Sequence, residues 1–158
     1  MSENLDAKTL RAAFSRFPSG VTVISGLVAG KPAGMVVSSF TPISLDPPLI
    51  AASIQRTSST WPLLRATPSL GVSVLAQHQS ELGRRLSGPG DRFAGTRWTA
   101  TESGAVLIDD ASAYFHSTHD RELPAGDHLI ALLEVTAVEL RATAQPLIFH
   151  RSGFRQLA

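Results

Sequence analysis

The sequence predicts an all-β barrel with short helical insertions, folded as one domain over residues 1–158. Three observations carry this reading. Apolar residues alternate with a period of two over many short stretches. Turns containing glycine or proline separate those stretches at short spacing. No internal repeat, low-complexity run or long linker divides the chain.

The first element is an exception. Leu10, Ala13, Phe14 and Phe17 recur at spacings of three and four, so residues 6–17 read as a helix with one apolar stripe. Asp6 is a plausible N-cap, and Pro18 and Gly20 stop the helix. The period then changes to two from Val21. A turn at residues 29–32 leads to a second strand over 34–40. Residues 41–48 hold three prolines and cannot form an interior strand. Residues 49–54 are apolar almost throughout, as expected for a strand covered on both faces. Short helices are predicted over 59–66 and 80–86. Further strands are predicted over 70–75, 105–108, 111–117, 128–141 and 147–150. The stretch 128–141 contains good helix formers, but its branched residues favour a strand.

Composition excludes several functions. The chain has 43% hydrophobic residues, enough for a sizeable core, and a formal net charge of +1. Its 14 Lys and Arg residues are scattered, so no nucleic-acid partner is expected. The absence of cysteine removes disulfides, thiolate catalysis, iron–sulfur clusters and thiolate zinc sites. His116, His119, Asp120 and His128 match no ordinary zinc spacing, so no metal is expected. The polar, acidic start lacks the features of a secretory signal, and the apolar runs are too short to span a bilayer. A cytoplasmic protein without a membrane partner is expected.

Four segments could carry chemistry. Met35, Val36, Val37, Ser38, Ser39, Phe40 and Thr41 place hydroxyls at a strand end, before a Pro-rich bend. Such groups can donate to a phosphate or a polar ring edge, and they can equally satisfy local backbone groups. Gln55, Arg56, Thr57, Ser58, Ser59 and Thr60 lead into a helix, which makes either an anion site or an ordinary cap. Arg84 and Arg85 point about 100° apart on a helix, so at most one faces a given ligand. His128 opens a strand after a Gly-containing turn, where it could bind a ligand or simply be solvated. There is no Gly-x-Ser-x-Gly elbow, Walker loop or Gly-x-Gly-x-x-Gly fingerprint.

The ordered set of motifs is more specific than any one of them. Phe14-Ser15-Arg16-Phe17-Pro18-Ser19-Gly20-Val21-Thr22-Val23 resembles the opening of the small flavin reductase-like family, the reductase components of two-component flavin monooxygenases. Gly34 to Thr41 and then Ser44-Leu45-Asp46-Pro47-Pro48-Leu49 are similar to its most recognisable stretch. Ser58-Ser59-Thr60, Asp91-Arg92-Phe93-Ala94-Gly95, Gly126-Asp127-His128 and Phe149-His150-Arg151-Ser152-Gly153-Phe154-Arg155 follow in the family's order.

The resemblance implies an FMN-binding split barrel that works as a homodimer, with the flavin at the interface. It implies that Met35 to Phe40 line the ring and ribityl chain, with Ser38 and Ser39 donating hydrogen bonds. Ser53, Gln55, Ser58, Ser59 and Thr60 would approach the ribityl and phosphate. Ala76, Gln77, Arg84 and Arg85 would close the phosphate end, and Phe93 would join the flavin site. His128 would be the catalytic-site residue beside the nicotinamide. Phe154 and Arg155 would cover the flavin, from the same or the other subunit.

The implied reaction is direct hydride transfer from NADH or NADPH to FMN, with FAD as an alternative flavin. The reduced flavin would diffuse to a partner monooxygenase. Two alternatives use the same site: a flavin- or haem-binding barrel without reductase activity, and an FMN-dependent biosynthetic oxidase. The sequence departs from the family pattern at Arg121-Glu122-Leu123-Pro124-Ala125, read as an inserted loop beside the nicotinamide site. Ser53-Ile54-Gln55-Arg56 also replaces a stretch where a small polar residue is often seen.

Overall fold

The computed structural model describes residues 5–157. In chain order the elements are α1 (Ala7–Phe14), β1 (Ser19–Gly20), β2 (Thr22–Val28), β3 (Lys31–Val37), β4 (Thr41–Leu45), β5 (Pro48–Gln55), α2 (Trp61–Leu64), β6 (Leu70–Val74), α3 (Ser80–Ser87), β7 (Trp98–Ala100), β8 (Val106–Ile108), β9 (Ala113–Ala125), β10 (His128–Leu140), β11 (Ile148–His150) and β12 (Gly153–Arg155). Seven strands form the main antiparallel sheet in the order β3-β2-β6-β9-β10-β5-β4. Smaller sheets, β1-β11-β12 and β7-β8, flank it.

Period-two alternation explains how β2 divides two apolar layers. Ile24 points into a cluster with Ile50, Ile54, Trp61, Leu64, Leu70, Val72 and Leu133. Val23 points the other way, with Val21, Leu75, Leu86, Val106, Ile108 and Leu147. The first cluster fills the curved sheet, and the second seals its outer face beneath α3 and β8. Both faces of β2 are therefore buried, and Ser25 between them donates to the Val106 carbonyl at 2.8 Å. Gly71 of β6 approaches Val106 so closely that a Cβ there would collide with its carbonyl.

The prolines of residues 41–48 act as expected. β4 is an edge strand, pairing only with β5. β10 is a strand along its whole length, paired with β9 from His128 to Leu140 and with β5 over His128 to Glu134.

Two expectations need correction. Residues 121–125 are not a loop. They extend β9, with Arg121 opposite Leu132, Glu122 opposite Ala131 and Ala125 opposite His128. A register shift at Asp120 takes up the odd residue, and Gly126, at φ 64°, makes the turn. Pro124 is tolerated because β6 pairs only with residues 113–117, so the far edge of β9 beyond them carries no ladder. The first helix is also shorter than expected, ending at Phe14, with a tighter turn carrying the chain to Phe17. Asp6 caps it, accepting from the Thr9 N–H at 2.8 Å. Its apolar stripe is not buried within the chain: Phe14 and Phe17 are 69% and 80% exposed.

Candidate functional site

A groove of about 480 Å³ opens where the end of β3 meets β5, near the two ends of the main sheet. Its walls come from Met35 to Ser39, from Ser53 to Gln55 and from the loop Thr57 to Thr60. His128, at the start of β10, and Arg92, between α3 and β7, complete it. Its apolar side chains are the half-buried Met35 and Val36. Val37 and Ile54 turn their side chains into the core, and the rest of the lining is largely a row of hydroxyls. No carboxylate lines the groove among the described residues.

The two adjacent serines have different tasks. The Ser39 hydroxyl accepts from the Ser53 N–H at 2.9 Å and lies 3.1 Å from the Ser53 carbonyl, to which it donates. It stitches the end of β3 to β5 and fixes the width of the groove. Ser38 lines the groove beside it. Ser58 accepts from the Trp61 N–H at 3.1 Å and so holds the hydroxyl loop against α2. With four residues, α2 is too short for an appreciable macrodipole. Hydroxyls and Arg92, rather than a helix end, would meet an anion.

His128 is oriented by its neighbour. Its Nδ1 lies 2.7 Å from Asp127 Oδ1. The hydrogen bond from His128, and then its charge, hold the Asp127 carboxyl below the ordinary range. With Nδ1 so engaged, Nε2 is the ring atom left for a ligand. The turn itself is anchored, because the Arg56 N–H donates to the Asp127 carbonyl at 3.0 Å and Arg56 Nε donates to the His128 carbonyl at 3.3 Å.

Most of the residues singled out in the sequence meet here: Met35, Val36, Val37, Ser38, Ser39, Ser53, Gln55, Ser58, Ser59, Thr60 and His128. Others do not. Phe40 packs on Phe115 with ring centroids 5.4 Å apart. Phe93 is buried beside Gly34 and lines a neighbouring cavity with Thr60 and Arg92. Ala76 is fully buried. Arg85 donates to Thr96 Oγ1 at 3.1 Å. Gln77, Arg84, Phe154 and Arg155 share a separate cavity of about 340 Å³, where the Arg84 guanidinium lies 5.4 Å from the Phe154 ring centroid, and Phe154 also lines a smaller cavity of about 180 Å³ with Val36 and Ser38. Thr57, which stood in the hydroxyl-rich segment before α2, joins the groove residues, whereas sequence reasoning passed over Arg92 as a site residue. Arg92 stood in the quoted Asp91-Arg92-Phe93 stretch, but nothing local distinguished it from the scattered cations.

The flavin reductase like domain model matches residues 14–158. A probable flavin reductase of Rhizobium meliloti is 34% identical over 140 residues, covering 87% of this chain. The chain spans only 45% of that protein's length. The NADH:FMN oxidoreductase of Rhodococcus qingshengii is 32% identical over 160 residues, covering 98% of this chain and 83% of that protein. The solved structure of a Streptomyces globisporus NADH:FAD oxidoreductase, in complex with NAD and FAD fragments, superposes with a TM-score of 0.90 at 34% identity. That match covers 99% of this chain and 98% of the other.

Proposed function

This chain belongs to the flavin reductase-like family, and from that premise we propose how its groove serves the reaction. The protein is an NAD(P)H:flavin oxidoreductase that supplies reduced flavin to a partner monooxygenase. The single observation that carries the assignment of the site is the groove itself. It joins a strand edge carrying Met35 and Val36, suited to a flat ring system, to a hydroxyl row and one arginine, suited to a polyol and an anion.

The donor set fits a flavin nucleotide. Met35 and Val36 would meet the ring with their side chains, the strand backbone at Val37 and Ile54 would flank it, and Ser38 would donate to its polar edge. Ser53, Gln55 and Thr57 to Thr60 would face the ribityl chain, with Arg92 at the phosphate. When bound together, the nicotinamide supplies a hydride and the flavin accepts it. The chain's own part is to bind, orient and exclude water. His128, oriented by Asp127, would hold the nicotinamide coenzyme through Nε2. No side-chain acid–base pair is needed for that role. FMN is the favoured flavin, with FAD as a second, and either NADH or NADPH as the donor.

We also assign the working unit as a homodimer. Phe14, Phe17, Ile43, Leu45, Val138 and Leu140 are large apolar side chains left in water by a single subunit. The Arg84–Phe154 face would then cover the groove of the other subunit.

Steady-state oxidation of NADH and NADPH with FMN, FAD or riboflavin tests the assignment. Turnover that depends on added flavin is expected with at least one coenzyme. Its absence with both would overturn the proposal.

A further inference from the structure

The strand extension at residues 121–125 does more than lengthen a hairpin. Glu122 is held in the ladder opposite Ala131, which itself pairs with Ala52 of β5. From that fixed point its carboxylate reaches α2. Trp61 Nε1 donates to Glu122 Oε1 at 2.7 Å. Arg65 Nη1 donates to Oε2 at 3.2 Å. His119 Nε2 lies 3.5 Å from Oε1, and its ring packs edge-on against Trp61 at 5.8 Å. Trp61 is 2% exposed, so its indole N–H has no recourse to bulk water if the carboxylate is removed. Burial works against the Glu122 charge, but the donors from Trp61 and Arg65 outweigh it, and its carboxyl stays below the ordinary value.

Trp61 directly follows the hydroxyl loop and donates its backbone N–H to Ser58 within it. The loop is thus tied through one buried indole to one carboxylate on the sheet. We propose that Glu122 is a positioning residue that holds the Thr57–Thr60 loop, through Trp61, in register for the phosphate of the flavin nucleotide. This rests on the reading of that loop as the phosphate end of the groove.

The test compares FMN with riboflavin, which shares the ring and ribityl chain but lacks the phosphate. In wild-type protein KM for FMN should lie well below KM for riboflavin. E122L should raise KM for FMN by about ten-fold while moving KM for riboflavin by less than about two-fold. E122Q keeps an oxygen for the indole and should recover most of the FMN affinity. If E122L does not fold, W61F, which keeps an aromatic ring and removes the N–H donor, should give the same FMN-selective rise. An equal rise for both flavins in these variants would show a merely structural role and overturn the proposal. Equal KM values for the two flavins in wild-type protein would instead overturn the phosphate reading of the loop on which it stands.

Discussion

Ser38 and Ser39 are chemically identical, yet only one has a free hydroxyl function in the groove. Ser39 is committed to the Ser53 backbone in both directions. Ser39→Ala would leave the Ser53 amide without its partner and should lower Tm, whereas Ser38→Ala should leave Tm unchanged and weaken flavin binding by about two- to ten-fold, as for the loss of one hydrogen bond. Thermal melts and KM values check both. Arg92 is the guanidinium that lines the groove, so Arg92→Gln should raise KM for FMN about ten-fold or more and reduce its salt dependence. These distinctions were not legible in the sequence. Arg84 and Arg85 stood out there because they are adjacent, but one stacks on Phe154 and the other bonds Thr96. Arg92 is brought in by an irregular segment whose path no periodicity encodes.

Elements with a strong period were readable. β2 and β6 are short apolar and small-residue runs bounded by turns, and the prolines of residues 41–48 announced an edge. The β9 extension was hidden for a physical reason. Its side chains beyond His119 are mostly exposed, so burial imprints no alternation, while its backbone pairing continues regardless. The Glu122 carboxyl in this element gives a pH prediction. Its folded pKa lies below the ordinary 4.5, so its contribution is fully present above that value and is lost as pH falls through the folded pKa. Glu122→Gln should therefore flatten the acid limb of a plot of Tm against pH while changing little near neutrality in slope. Gly34 tests the groove wall from β3. A Cβ there would lie 2.9 Å from Phe93 Cζ and 3.0 Å from the Ile24 carbonyl oxygen. Gly34→Ala should cost about 2 kcal/mol through overpacking, a fall in Tm of roughly 4–8 °C.

At the scale of the molecule, α1 bears on the proposed homodimer. Its stripe was legible as amphipathic, and none of its residues is buried among the described residues. With Leu45 97% exposed, Leu45→Lys should shift a dimer toward monomer in sedimentation without unfolding it. No helix among the described residues is long and apolar enough to cross a membrane.

The Arg56 contacts to the carbonyls of Asp127 and His128 have a kinetic corollary. They fasten the hairpin turn to the end of β5, so this rim behaves as a doorframe and not as a door. Exchange of spent for fresh dye past it then demands no unlatching. Amide protons along that rim should keep the same deuterium uptake with and without FMN, and the off-rate should follow solvent viscosity.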